Sequence, residues 1–248
     1  QIRITDPTNI MRPINKFLTL NLPYPASTLF LYMLGFYILL LTLKVDKWLS
    51  IVGSIGFAFS AFFIIIITAG HYTQAVALSY APPVFAGVIL VCRGRYLLGC
   101  AVLSLFSGLE LFCSHPQITY YLFLLMVVYV LFEFVERIKL KQYKDIFKML
   151  TVFAVVAILA VGTNLANLWN TSEYVKYTIR GPSELTSEKH NRTSGLDRDY
   201  VNQWSLRKVE TFSLLIPGFK GRGDGMQISE NKKALKDIDP QMRETVGN

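Results

Sequence analysis

Leu90-Val91-Cys92-Arg93-Gly94-Arg95-Tyr96-Leu97-Leu98-Gly99-Cys100 sets two arginines around a glycine, with an apolar run on either side. Outward from it, the next connection in each direction holds a histidine and no Lys or Arg: Ala69-Gly70-His71 before, Ser114-His115-Pro116 after. One step further the connections are basic again, with Lys44 and Lys47 on one side and Arg137, Lys139, Lys141, Lys144 and Lys148 on the other. The apolar runs so delimited cover 28–43, 49–69, 75–92, 96–113, 118–136 and 146–169. Each is near the roughly 17–25 residues that a helix needs to cross a hydrocarbon core about 30 Å thick. A soluble helical core has no reason to sort its basic residues by loop parity, whereas membrane proteins keep Lys and Arg on the cytoplasmic side. The pattern predicts an all-α, polytopic transmembrane bundle of about six spans over 28–169. The His71 and His115 loops, the segment 1–27 and the polar stretch 170–248 then share the extracytoplasmic face.

Composition agrees with a membrane domain that carries a polar appendage. Hydrophobic residues make up 52% of the chain and charged residues 17%, the latter concentrated in connections and in the last third. Mean hydropathy is +0.37. The net charge of +8 does not point to nucleic acid, because much of it is the cytoplasmic basic set, whose ordinary partners are anionic lipid headgroups. Gln1-Ile2-Arg3 shows no initiator Met and no signal-peptide pattern. With that end outside, the chain is expected to be a piece of a longer protein, preceded by at least one helix. Cys92, Cys100 and Cys113 have neither disulfide nor metal-ligand spacing, and no metal or cofactor site is predicted.

Polar side chains gather at the predicted outer ends. Glu110 lies about one turn below the end of the fourth run, where a carboxylate is costly unless it faces a cavity or a partner. Pro116 reads as the first-turn proline of the fifth helix, with Ser114 or His115 at its cap. That helix therefore points unpaired N–H groups, near Gln117, at the outer face, where an anionic headgroup can dock. His71 and His115 fall on the same face, joined by Asn164, Asn167, Trp169 and Asn170 at the end of the sixth run. Interfacial His, Asn, Trp and Tyr are also ordinary belt residues. Elsewhere, Gly53, Gly56 and Ser60 give the second run a small-residue packing face, Pro82-Pro83 predicts a tolerated kink, and Glu133 is spaced for an i,i+4 pair with Arg137. In the polar tail, Asp197-Arg198-Asp199 and the sequons at Asn170 and Asn191 carry little weight. The glycine-rich 218–225 lacks the Gly-Lys-Ser/Thr of a phosphate-binding loop.

Taken in order, Ala69-Gly70-His71, Tyr80-Ala81-Pro82-Pro83-Val84, Arg93-Gly94-Arg95-Tyr96-Leu97-Leu98-Gly99, Ser114-His115-Pro116-Gln117-Ile118-Thr119-Tyr120-Tyr121, Ser194-Gly195-Leu196-Asp197-Arg198-Asp199-Tyr200, Glu210-Thr211-Phe212 and Leu215-Ile216-Pro217-Gly218-Phe219-Lys220-Gly221 resemble the YfhO-type bacterial membrane proteins, particularly those of Bacteroidetes. The likeness spans most of the chain. It implies a GT-C glycosyltransferase architecture in the bacterial cytoplasmic membrane. Such a protein takes a sugar from a polyprenyl-phosphate-linked donor in the lipid bilayer and places it on an extracytoplasmic acceptor such as an envelope glycopolymer. On this reading His115, the N-terminus of the fifth helix at Gln117, and Arg180 meet the phosphate. Glu110 and His71 shape the sugar end, and Asn167 lies beside them. GT-C enzymes carry a catalytic acid in the first outer loop, which is expected upstream of Gln1, so no catalytic base is assigned here. Two other classes remain open: a transporter or flippase of a lipid-linked envelope precursor, and a non-catalytic membrane scaffold.

Overall fold

The computed structural model describes residues 8–175, together with 211 and 212. The chain divides into two units, Gln1–Gln203 and Trp204–Asn248, and every helix below belongs to the first. Arg180, the Asp197-Arg198-Asp199 cluster, the Asn191 sequon and the glycine-rich 218–225 lie outside the described residues.

Among the described residues the fold is all-helical, in the order α1 (Met11–Leu18), α2 (Ala26–Thr42), α3 (Lys47–Ala58), α4 (Ala61–Thr68), α5 (Tyr72–Cys92), α6 (Tyr96–Phe112), α7 (Pro116–Lys139), α8 (Tyr143–Gly162) and α9 (Leu165–Val175). Three of them, α5, α7 and α8, with 21, 24 and 20 residues, are long and apolar enough to cross a membrane. The run 49–69 is not one straight span. Ser60 takes an extended conformation (φ −63°, ψ 148°), and α3 and α4 meet at 44°. That bend lets Phe57 and Phe63 converge on Tyr32, whose ring stacks on Phe63 at 4.1 Å. Helices α2 and α6 have 17 residues each, about 25 Å at 1.5 Å per residue, less than a full hydrocarbon core. Just beyond them Lys44 and Ser114 adopt positive φ (65° and 52°), which closes the chain into tight turns. The six expected runs thus become three full-length candidates, or four if α3 and α4 form one bent span.

The burial pattern separates a core helix from outer ones. In the apolar window of α5, 83% of residues are buried, against 6% in α7 and 17% in α8. Phe132, Phe147 and Ile158 are each more than 70% exposed. Apolar surface this extensive is not sustainable in water and fits contact with a lipid bilayer. Packing around α5 depends on small residues. Pro83 has no N–H to return to the Ser79 carbonyl one turn back. Gly35 of α2 closes over that carbonyl: a Cβ there would lie 2.6 Å from the Ser79 oxygen. Gly87 likewise lets α6 approach, since a Cβ would lie 2.7 Å from that of Leu103. The prolines therefore mark a helix–helix contact inside a continuous α5.

Contacts also bring alternate connections together at two ends of the bundle. At one end the Arg93 guanidinium donates to the Thr42 carbonyl, Arg137 donates to the Cys92 carbonyl and pairs with Glu133, and the Tyr96 hydroxyl donates to Asp145 at 3.3 Å. Arg93 and Arg137 thus satisfy carbonyls that the C-termini of α2 and α5 leave without intrahelical partners. The basic connections share this end, and the i,i+4 pair expected of Glu133 is formed. At the opposite end Asn164 donates to the Gly108 carbonyl at 2.8 Å and the Ala160 carbonyl at 3.0 Å, while Asn9 donates to the Thr163 carbonyl at 3.1 Å. These amides tie α1, α6 and α8 into one clasp. The Tyr80 hydroxyl adds a hydrogen bond to Asn15 of α1.

Candidate functional site

Two cavities open beside the α6–α7 turn. The larger, about 420 Å³, is a slot walled by α5, α6, α7 and α8. On α7 its lining runs from Thr119 to Phe134, about 22 Å of helix. Almost all of it is apolar, with Val88, Leu103, Met126, Val130, Phe153 and Val156 among the walls. Its polar side chains, Ser107, Glu110 and Thr119, all lie toward the α6–α7 turn. The smaller cavity, about 320 Å³, is lined by Ser114, His115, Pro116, Tyr120 and Leu168 and shares Leu111, Thr119 and Phe123 with the slot.

Glu110 is the centre of this arrangement. It is 2% exposed. The Thr119 hydroxyl lies 2.9 Å from one carboxylate oxygen and 3.0 Å from the other, and 3.3 Å from the His115 carbonyl one turn back. A hydroxyl has one proton to give, so these contacts share it. Among the described residues no cation pairs with Glu110. Burying a carboxylate in this way is expensive, and the group retains acceptor positions that Thr119 does not fill.

His115 caps α7 by position (φ −119°, ψ 77°), with Pro116 in the first turn as expected, but its side chain makes no capping bond. Its Nδ1 is buried without a hydrogen-bond partner among the described residues. Burial holds the imidazole below the ordinary histidine range, and nearby His71 acts in the same direction. His115 is thereby favoured as the neutral base. His71 stands exposed at the start of α5.

No protein-family model, curated protein or solved structure matches this chain. Of the residues singled out in the sequence, Glu110 lines the slot, His115 lines the adjoining cavity, and His71 lies close enough to influence His115. Gln117 is exposed, and its amide donates to the Tyr121 hydroxyl at 3.4 Å, turned along the outer surface of α7. Asn167 is 3% exposed, on α9, and lines neither cavity. Thr119 stands in the sequence as an ordinary member of Ser114-His115-Pro116-Gln117-Ile118-Thr119, yet it provides the hydrogen bond that fixes Glu110. Nothing local marks it: the pairing spans a turn between two helices, nine positions apart. Among the described residues no group of three His, Cys, Asp or Glu side chains is placed to hold a metal ion.

Proposed function

We propose that the chain is part of an integral membrane glycosyltransferase of the GT-C type, related to the YfhO-type proteins, that moves a sugar from a polyprenyl-phosphate carrier to an extracytoplasmic acceptor. The observation that carries this reading is the long apolar slot with one buried carboxylate at its end, paired with no cation among the described residues. Such a slot suits a lipid chain, and such a carboxylate suits the hydroxyls of a sugar or an acceptor. Beside it, the smaller cavity presents His115 and the first turn of α7, whose N–H groups and dipole favour a phosphate. Transfer needs a group to take the acceptor's proton and donors to steady the departing phosphate. In this reading Glu110 holds the hydroxyls of the sugar or acceptor and the α7 N-terminus with His115 meets the phosphate, while the group that takes the acceptor's proton is assigned to no described residue.

In this reading α2 and α6 also cross the membrane, with local thinning to match their 17 residues, and α3 and α4 make one bent span, so that six spans result. The basic connections face the bacterial cytoplasm. Cysteines substituted at Arg95 and Lys141 then react with impermeant reagents only from the cytoplasmic side, and those at His115 and Gln117 only from outside. The activity itself is tested by sugar transfer from a radiolabelled polyprenyl-phosphate donor in membranes containing the intact protein. Glu110→Gln should lower transfer at least about a hundredfold and His115→Ala less; full transfer by both variants overturns the assignment. Movement of the lipid-linked sugar across the membrane without any new glycosidic bond would instead favour the flippase.

A further inference from the structure

The two cavities differ in the charge they tolerate. Neither is lined by a Lys or Arg among the described residues, but only the slot presents a carboxylate. We propose that the slot takes a long-chain lipid whose head group at Glu110 is an uncharged alcohol and not a phosphate. The inference rests on reading the slot as a lipid site and adds which lipid occupies it.

A chain lying along the apolar walls toward Phe134 has its first polar atom beside Glu110, because the slot's polar side chains lie at that end. A carboxylate has about four acceptor positions. Thr119 brings a single proton to them, at 2.9 and 3.0 Å, so an alcohol O–H finds an acceptor and Ser107 offers a second polar contact. With Glu110 ionised, as at alkaline pH, a phosphate at that point would set like charges together in a water-poor site, with no cation among the described lining residues to offset them. The group that favours an anion, the α7 N-terminus, lies on the other side of the shared wall formed by Leu111, Thr119 and Phe123. An alcohol-headed acceptor in the slot and a phosphate-headed donor next to it would thus meet across Thr119. A lipid occupant also fits the surroundings. The walls given by α7 and α8 are continuous with the exposed apolar surface of those helices, so a chain can enter sideways from the bilayer.

The test is competition for a fluorescent long-chain alcohol bound to the intact protein in nanodiscs of zwitterionic phospholipid at pH 8, with geranylgeraniol and geranylgeranyl phosphate as competitors. The alcohol should bind at least about tenfold more tightly than the phosphate, and Glu110→Gln should bring the two within about twofold of each other. Ala157→Phe, which fills the slot, should weaken both, with melting temperature confirming that each variant is folded. Equal or tighter binding of the phosphate to the unaltered protein overturns the proposal, as does a preference that survives Glu110→Gln. Failure of either lipid to bind a folded protein overturns both the alcohol assignment and the lipid slot. Retained alcohol preference in a protein that transfers no sugar would sink the transferase alone and leave the alcohol site standing.

Discussion

Glu133 and Glu110 are carboxylates near opposite ends of one helical hairpin, α6 and α7, and they are treated in opposite ways. Glu133 pairs with Arg137 one turn on, and the same guanidinium reaches across to the last carbonyl of α5, so charge and helix end are satisfied together. Glu110 is more deeply buried and receives one neutral hydroxyl, shared between its two oxygens. A fold that wanted only stability would pair or omit that acid, because an unpaired buried charge costs more than it returns. The basic end thus satisfies its charges within the fold, whereas at the opposite end Glu110 keeps acceptor positions unfilled among the described residues.

The comparison breaks most readily at Glu110 itself. Glu110→Gln preserves size and most hydrogen bonding, so it should remove transfer about a hundredfold or more with little change in melting, whereas Glu133→Gln should leave transfer near its starting level. The next largest effect is expected at the basic end. Arg137→Ala strands Glu133 and the Cys92 carbonyl together, for a loss of about 2–3 kcal/mol, read as a lower midpoint in detergent unfolding. Thr119→Val keeps shape and removes the hydroxyl that holds Glu110, costing about 1–3 kcal/mol; Thr119→Ser should restore most of it.

The smallest effect concerns pH. Folded His115 lies below its ordinary value of 6.5, so between the two values the unfolded chain binds more protons. Stability from His115 is then present above about pH 6.5 and lost as the pH falls through its folded value. An NMR titration of labelled histidine should place His115 below 6.5, and His115→Gln should flatten the acid limb of the melting curve.

Loop parity was legible in the sequence because charge is conspicuous against apolar runs. The contacts of Arg93 and Arg137 show the basic connections meeting at one end. Glu110 was legible for the same reason, as an isolated acid near the end of an apolar run. What periodicity does not carry is where a run breaks. Nothing in Phe59-Ser60 announces a 44° bend, which goes with the packing of Phe57 and Phe63 on Tyr32. The lengths of α2 and α6, by contrast, follow their runs 28–43 and 96–113, each closed by a positive-φ residue just beyond it, Lys44 or Ser114. The slot was hidden for a related reason. It is a relation among four helices, and its wall residues are indistinguishable in sequence from those that face lipid. Thr119 and the Asn9–Asn164 clasp are likewise pairings between distant positions.

The central claim, that a lipid chain lies in the slot ending at Glu110, is tested most directly by photolabelling the intact protein in membranes with a diazirine-bearing long-chain alcohol and mapping the adducts on α7. Labelling should concentrate at slot-facing Met126, Val127 and Val130 and be lost in Ala157→Phe. Adducts spread evenly over the lipid-facing Phe132, Val128 and Leu125, unchanged when the slot is filled, would contradict it.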